Sequence, residues 1–367
     1  NDGNFYEETG THDNTYDIDA IFYDGYRDTK VFAYVGYPKG ASGKKRVPAM
    51  VLVHGGWGRA EKAWVKKWND AGFAAIAMDL YGDGPECDES NPYNTRMKKH
   101  PYAGVVPFGG ETFLADYENA GMYQNVVAVV NAHNILIESG RVDTNKIGIA
   151  GISWGGVTAL TAAGVDRRFA FAVSVYGCGF LEECRTYFSN FYEAEGCTDV
   201  WDPARFIVKT EAPVLLVNSD CDQAFSINST SRTADAMKNG RLCILHHYGH
   251  SQELGESLSI VYRFAQKMAD STDNLIRIYG ENVKNRVFTA AIDVPEGTGV
   301  SGAVLYYITS KELAYGGGTQ IAWQSVENYA FCGSKLHFVV PEKATHCYMS
   351  VVDHDGNVIS SKYLDVK

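Results

Sequence analysis

The sequence predicts an α/β fold, with a mostly parallel sheet covered by helices on both faces, plus a small C-terminal all-β sandwich. Three observations predict it. Apolar runs alternate with helix-like stretches from 49 to about 271, as in parallel sheets. The composition changes near 271–274, after which short strand-like runs are separated by turns. The 367 residues also exceed one ordinary domain. We therefore expect an α/β domain over 1–272 and a β-sandwich over 273–367.

The individual elements follow from periodicity. Runs at Ile21–Tyr23 and Val31–Val35 predict antiparallel edge strands that lead into the core. Amphipathic spacing predicts helices at about 61–71, 117–139, 156–163 and 253–269. The C-terminal part reads as an immunoglobulin-like or fibronectin-like sandwich. Its predicted strands are Leu275–Tyr279, Val287–Ile292, Ala303–Ile308, Leu336–Val340 and Cys347–Val352.

A serine lies between a predicted strand and a predicted helix, in the sequence Gly151-Ile152-Ser153-Trp154-Gly155. A strand, a sharp turn and a helix are the context that makes G-x-S-x-G a nucleophile elbow, which exposes a serine hydroxyl. The flanking glycines allow the turn and the close approach of strand and helix. Without that context the motif is weak evidence. Ser153 is therefore the predicted nucleophile.

A serine alcohol is a poor nucleophile at neutral pH, so the elbow predicts a general base. In such sites the chain order is Ser, then Asp or Glu, then His, on loops at the carboxyl ends of strands. Three histidines follow the predicted strand Leu242–Leu245. We assign His250 as the base, because it lies past a glycine on a loop that can reach the serine. His246 and His247 are expected to be strand-end residues with polar partners.

The carboxylate that orients the base has two candidates, because Asp220 and Asp222 both follow the predicted strand Pro213–Asn218. We favour Asp222, since Asn218 and Ser219 look like the turn that leaves the strand. Asp220 would then accept hydrogen bonds from local backbone donors. The sequence leaves this choice open.

The loop His54-Gly55-Gly56-Trp57-Gly58 follows an early buried strand and matches the HGG-type loop that supplies oxyanion donors. The expected donors are the backbone N–H groups of Gly56 and Trp154. His54 is expected to brace the loop. Trp57 and Trp154 are pocket candidates because they lie in the segments that carry these donors.

Six segments carry a resemblance to a known family, and they keep the family's order along the chain: Val51–Gly58, Ala77–Gly82, Arg141–Asp143, Gly151–Gly156, Gly164–Phe169 and Val175–Gly179. From about Tyr34 to Met268, the chain resembles the acetyl xylan esterase and dienelactone hydrolase branch of the α/β-hydrolase superfamily, which is related to prolyl-oligopeptidase-type catalytic domains. The resemblance implies a triad of Ser153, Asp222 and His250. Tyr81 and Tyr176, within these segments, are further pocket candidates. The acid loop lacks the family's common glycine.

Composition excludes some classes of partner. The net charge of −11 argues against nucleic-acid binding, which relies on clustered Lys and Arg. No apolar run is long enough to predict a membrane span. The 23 tyrosines and the Asn, Gly and Asp near the amino end suit an exported protein that acts on polysaccharide. We expect an extracytoplasmic protein whose leader has been removed, since the chain starts at Asn1. The sequence does not indicate an oligomeric state.

The eight cysteines permit one or two disulfides, within Cys178, Cys184 and Cys197 or between Cys332 and Cys347. Free buried cysteines are an equally good interpretation. The sequence lacks the Cys and His spacing of a zinc site. We expect neither a metal nor an organic cofactor.

These features together predict a serine esterase that removes acetyl or other small acyl groups from carbohydrates. A prolyl-oligopeptidase-type serine peptidase is the alternative among enzymes, although no propeller-like repeats precede the core. A non-catalytic binding protein that kept the fold is the alternative from another class. Aromatic residues in two insertions, 82–115 and 177–205, would form a sugar platform or an acyl pocket, or simply pack on the core.

Overall fold

The computed structural model describes residues 6–13, 17–27, 29–81, 117–184, 196–272, 275–310 and 321–367. The insertion 82–115 lies outside the described residues, as do 185–195 of the second insertion. The aromatic platform expected there stays a prediction.

A nine-stranded sheet forms the centre of the molecule, in the order β1-β2-β3-β5-β4-β6-β7-β8-β9. Strands β4 to β9 pair in parallel, whereas β1, β2 and β3 are antiparallel, and β3 joins β5 antiparallel. The strands are β1 Tyr6–Asp13, β2 Ile18–Asp24, β3 Lys30–Gly36, β4 Val47–Val53, β5 Ala74–Met78, β6 Val142–Ile152, β7 Phe171–Val175, β8 Val214–Ser219 and β9 Gly240–Leu245. The predicted α/β class and the antiparallel edge strands are confirmed.

Helices cover both faces of this sheet. Alternate residues of its strands therefore belong to two different apolar clusters. In β4, Leu52 packs with Trp64 and Trp68 on one face, while Val51 packs with Val129 on the other. Strands that are buried on both faces read as continuous apolar runs. The helices are α1 Lys62–Asp70, α2 Gly121–Glu138, α3 Trp154–Val165, α4 Cys197–Trp201, α5 Ala204–Ile207, α6 Ile227–Ala236, α7 Gln252–Gly255 and α8 Ser259–Ala269. Two short 3₁₀ turns span Tyr117–Asn119 and Leu181–Glu183.

Two predicted helices differ from the structure. The stretch 117–139 begins with the 3₁₀ turn Tyr117–Asn119, and α2 starts only at Gly121. The stretch 253–269 was expected to be continuous, but α7 ends at Gly255 and α8 begins at Ser259. Gly255 lies against Ile152, and a Cβ on it would come within 3.1 Å of that side chain. Glycine weakens a helix. In addition, the hydroxyl of Ser257 donates to the carbonyl of Glu253, and such a side-chain bond competes with the backbone hydrogen bonds of a helix.

The order of strands reverses at β4, whose neighbours are β5 on one side and β6 on the other. Open α/β sheets bind ligands in the crevice at the carboxyl ends of the strands next to such a reversal. The loop that begins at His54 follows β4 there, and Ser153 follows β6. The topology therefore brings the predicted oxyanion loop and the predicted nucleophile to one edge of the sheet.

The C-terminal part forms two antiparallel sheets, which confirms the all-β prediction. One has the order β10-β11-β15-β14 and the other β13-β12-β16-β17, with β18 paired to β16. The strands are β10 Arg277–Lys284, β11 Val287–Asp293, β12 Val300–Ile308, β13 Gln324–Val326, β14 Tyr329–Cys332, β15 Lys335–Val339, β16 His346–Asp353, β17 Val358–Ser360 and β18 Leu364–Asp365. The four short strands β13, β14, β17 and β18 were missed by periodicity. The domain boundary at 272 stays a prediction.

The cysteines of the described segments are free, including all five that were candidates for disulfides. The Sγ atoms of Cys178 and Cys184 are 3.9 Å apart, well beyond the bond length of about 2.05 Å. Cys332 is exposed and Cys347 is buried. Among the helices that the structure describes, none has the length and apolar character to span a membrane.

Candidate active site

Ser153 sits at the tight turn between β6 and α3, with a left-handed φ of 58°. Its N–H donates to the carbonyl of Val175 at 2.7 Å. A non-glycine residue in this region is strained, and such strain is concentrated at functional sites. The glycines of the motif are required by contact: a Cβ on Gly151 would lie 1.9 Å from the carbonyl oxygen of Gly155, and one on Gly155 2.1 Å from that of Val53. The local sequence therefore creates the elbow.

His250 links the serine to a carboxylate. Its Nε2 lies 2.9 Å from Oγ of Ser153, and its Nδ1 lies 2.7 Å from Oδ2 of Asp222. An ionised carboxylate only accepts hydrogen bonds. Nδ1 of His250 therefore carries the hydrogen and donates a hydrogen bond to Asp222. Nε2 is then the acceptor for the serine hydroxyl. This is the tautomer that a general base needs.

Asp222 is held rigidly in the loop after β8. Its Oδ1 accepts the backbone N–H groups of Ala224 and Phe225, each at 2.8 Å. The residue is 2% exposed, so these bonds satisfy a carboxylate that has little access to water. Oδ2 is thereby turned toward His250.

Asp220, the other candidate acid, is hydrogen-bonded to His246 and not to His250. Its Oδ2 lies 2.6 Å from Nδ1 of His246, and its Oδ1 accepts the N–H of His247 at 2.9 Å. The structure thus separates the two carboxylates left open by the sequence: Asp222 lies with His250, and Asp220 with His246. His246 has the polar partner expected of it.

The loop after β4 runs directly against the serine. A Cβ on Gly55 would lie 3.3 Å from Cβ of Ser153 and 3.9 Å from its Oγ. His54 braces this loop as expected, because its Nε2 accepts the N–H of Leu80 at 3.0 Å and its Nδ1 lies 2.7 Å from the carbonyl of Gly55. Gly56 follows in the same loop, and Trp154 is the first residue of α3, where backbone N–H groups point out of the helix end.

A sequence model of the family described as acetyl xylan esterase (AXE1) matches residues 4–191, just over half of the chain. The chain belongs to the acetyl xylan esterase family. It is therefore a carboxylic ester hydrolase, and its substrate is a small-molecule or polysaccharide ester. No curated protein sequence matches this esterase.

Solved structures show the same fold at low sequence identity. The acetyl xylan esterase from Paenibacillus sp. R4 is 18% identical with a TM-score of 0.57, over 72% of this chain and 88% of its own. Acetyl xylan esterase 1 from Thermoanaerobacterium sp. JW/SL YS485 is 16% identical with a TM-score of 0.54, over 72% and 86%. Acylaminoacyl peptidase from Pyrococcus horikoshii is 14% identical with a TM-score of 0.52, over 69% and 42%. The fold is therefore that of the α/β hydrolases.

The aromatic pocket candidates occupy different positions in the esterase. Tyr176 is fully buried and stacks on the imidazole of His250, with ring centroids 4.7 Å apart. Tyr81 is buried beside His54, and the centroids of the two rings are 5.2 Å apart. Trp57 is 55% exposed on the predicted oxyanion loop, whereas Trp154 is 4% exposed and packs in the core. The indole of Trp154 is thus a side chain of the core.

Phe225 is a site residue that sequence reasoning missed. Its ring is parallel to that of His250 within 16°, with centroids 6.4 Å apart, and its N–H binds Asp222. An apolar residue three positions after the aspartate was the only signal available. Phe225 therefore contributes both to the carboxylate and to the surroundings of the imidazole.

Asp220, Cys221 and His247 bring potential metal-ligand atoms within 4.8 Å of one another. The carboxylate of Asp220 already accepts from His246 and from the backbone of His247. We assign no metal to this group, and the expected absence of a cofactor stays a prediction.

Proposed function

We propose that this esterase removes acetyl or similarly small acyl groups from carbohydrate alcohols through Ser153, His250 and Asp222. One observation carries the proposal, namely the two hydrogen bonds that run from Oγ of Ser153 to Nε2 of His250 and from Nδ1 of His250 to Asp222. The nucleophile is activated by an adjacent base, and the base is oriented by a third group.

In the first half-reaction, Oγ of Ser153 attacks the ester carbonyl while Nε2 of His250 takes its proton. Asp222 keeps its charge and stabilises the imidazolium. The carbonyl oxygen becomes an oxyanion, and the backbone N–H groups of Gly56 and Trp154 are the proposed donors to it. His250 then gives the proton to the leaving alcohol as the tetrahedral intermediate collapses, which leaves an acyl group on Ser153.

In the second half-reaction, water takes the place of the alcohol. His250 removes a proton from the water as it attacks the acyl carbonyl, and returns that proton to Oγ of Ser153 when the second intermediate breaks down. The products are the free carboxylic acid and the regenerated serine. The side chains already present perform every proton transfer.

The preference for a small acyl group is supported by membership of the acetyl xylan esterase family and by the names of two similar structures.

The test combines labelling with substrate profiling. A fluorophosphonate probe is expected to add to Ser153, located by peptide mass spectrometry, and Ser153→Ala is expected to lose both labelling and hydrolysis. Wild-type kcat/KM is measured on p-nitrophenyl esters of increasing acyl length and on acetylated xylan, and acetate is expected to be the preferred acyl group.

Three results would contradict the proposal in different ways. Full hydrolysis by Ser153→Ala would remove the serine mechanism. Faster cleavage of proline-containing peptide amides than of esters would favour a peptidase. Neither labelling nor turnover in the wild type would favour a binding protein. The extracytoplasmic location and the oligomeric state are separate matters, and the first stays a prediction.

A further inference from the structure

Asp220 is a buried carboxylate beside the active site that the mechanism above does not use. In addition to His246 and His247, its side chain accepts the hydroxyl of Tyr348 at 2.9 Å. Its backbone carbonyl accepts Nε1 of Trp323 at 2.8 Å. Tyr348 and Trp323 are 128 and 103 residues away in the chain and belong to the C-terminal β part.

Asp220 therefore joins three parts of the molecule. It precedes Asp222 by two residues and lies in the same loop after β8. Its partners His246 and His247 begin the loop that leads to His250. The loop of the acid, the loop of the base and the C-terminal sheet are thus tied together at a single side chain with 0% exposure.

The C-terminal side of this junction is a packed aromatic group. Tyr306 and Tyr348 are paired in register on β12 and β16, and their rings stack at 5.1 Å. The ring of Tyr306 also stacks on His246 at 4.6 Å, and Trp323 meets Tyr348 edge-on at 5.0 Å. Side chains that are locked by packing hold their hydrogen-bond donors in fixed positions.

The hydroxyl of Tyr348 remains protonated and therefore stays a hydrogen-bond donor to Asp220. Burial, and then the nearby charge of Asp220, raise the pKa of this hydroxyl well above its usual range. The tyrosine therefore stays protonated at working pH and donates to the carboxylate. Without this donor, the carboxylate of Asp220 would lose one of its partners, which is costly for a buried charged group.

We propose that Tyr348 and Trp323 are positioning residues for the hydrolysis of the ester: they hold Asp220, and through it the loop that presents Asp222 to His250. The inference rests on the proposed function, in which Asp222 and His250 serve ester hydrolysis at Ser153. A displacement of about 1 Å at a catalytic group can cost about 100-fold in rate. Since Tyr348 and Trp323 belong to the C-terminal β part, this part of the chain would help to keep Asp222 in place.

The test uses the full chain with Tyr348→Phe and Trp323→Phe, each of which removes one donor and keeps an aromatic ring. Each variant is expected to lower kcat by about tenfold, with KM for p-nitrophenyl acetate unchanged. The downfield proton resonance of the hydrogen bond between His250 and Asp222 is expected to shift or broaden. A purely structural loss would lower the melting temperature without moving this resonance.

Tyr307→Phe is the matched control, because Tyr307 lies in β12, the strand paired with the one that carries Tyr348, but its hydroxyl donates to Gln324 at 2.6 Å in an exposed position. It is expected to keep the wild-type kcat and resonance. Two folded donor variants with wild-type kcat and resonance would overturn the positioning role. If one variant fails to fold, the other decides by the same measurements.

The failure of this inference and the failure of the proposed function are distinguishable. Loss of activity in Ser153→Ala together with normal kinetics in Tyr348→Phe and Trp323→Phe would overturn only the positioning role. Full hydrolysis by Ser153→Ala would overturn the serine mechanism itself, and the positioning role with it.

Discussion

The ring of Tyr176 stacks on the imidazole of His250, with centroids 4.7 Å apart and planes 29° apart. Tyr176 immediately follows β7 and has a left-handed φ of 59°, a conformation that is strained for a bulky residue. Its ring is fully buried, so the strain is offset by packing. The contact limits the orientations open to the imidazole on one face, while Nδ1 and Nε2 remain bonded in the plane of the ring.

The first prediction separates the ring of Tyr176 from its hydroxyl. The hydroxyl is buried and has no hydrogen-bond partner within the described segments, so Tyr176→Phe is expected to keep kcat within about threefold and to preserve stability. Tyr176→Leu removes the stacked ring and is expected to lower kcat by about fivefold, since an aromatic contact contributes about 1 kcal/mol. Steady-state kinetics and urea unfolding measure both effects.

The two variants of Tyr176 share the same left-handed backbone, so backbone strain does not account for a difference between them. Equal kcat values for the phenylalanine and leucine variants would show that the ring does not orient His250. A large loss in Tyr176→Phe would instead indicate a polar role for the hydroxyl.

The second prediction concerns Asp222. In Asp222→Asn an amide replaces the carboxylate that accepts from Nδ1 of His250, which favours the wrong tautomer of the imidazole. The expected result is a kcat lower by about 10³- to 10⁴-fold with a small change in KM. Pre-steady-state release of p-nitrophenol would show that acylation of Ser153 is slowed. A loss of less than tenfold would contradict the assignment of Asp222 as the orienting acid.

Local motifs in the sequence were sufficient to predict where Ser153 and His250 lie. The elbow is a short-range feature, since a strand, a glycine-flanked serine and a helix are consecutive in the chain. The sheet followed from apolar runs long enough to be recognised. The elbow and the individual strands and helices are local patterns of consecutive residues, which motifs and periodicity encode.

The roles of Asp220 and Asp222 could not be separated in this way. Both are buried, and both accept backbone N–H groups. What distinguishes Asp220 is the pair of donors from Tyr348 and Trp323, more than 100 residues downstream. The sequence carries no local signal of that contact. The short strands of the C-terminal part were missed for another reason, because two to four residues are too few to show alternation.

The third prediction tests the close contact at the elbow. A Cβ on Gly155 would lie 2.1 Å from the carbonyl oxygen of Val53 and 2.3 Å from that of His54. These are backbone atoms of β4 and the loop after it, and they cannot move aside cheaply. Gly155→Ala is expected to lower the free energy of unfolding by about 3 kcal/mol or more, measured by urea denaturation, and to abolish activity.

Gly302→Ala is the matched control for Gly155→Ala. Gly302 lies in β12, where a Cβ would meet no atom of the described residues within 4 Å. This variant is expected to change the free energy of unfolding by no more than about 0.5 kcal/mol. Similar stability in the two variants would mean that β4 and α3 are not in the tight contact described for the elbow.

The fourth prediction is a pH dependence of stability that arises away from the active site. His133 in α2 is fully buried, and neither of its ring nitrogens has a hydrogen-bond partner among the described residues. Burial, and then the charge of Arg168, lower the pKa of His133 from 6.5 to about 4. The folded protein therefore holds this imidazole neutral at pH values where the unfolded chain protonates it.

The sign of the effect follows from proton binding. Between pH 6.5 and about 4, the unfolded chain binds more protons at His133, so the free energy of unfolding falls as the pH is lowered through this window. The loss is on the order of 3 kcal/mol. In His133→Leu this contribution is absent. Urea denaturation of wild type and variant at several pH values gives a difference curve, in which groups that titrate alike cancel. We expect the variant to gain stability relative to the wild type as the pH falls from 6.5 to 4, with kcat at neutral pH unchanged, and a flat difference curve would show that His133 is not held neutral by burial.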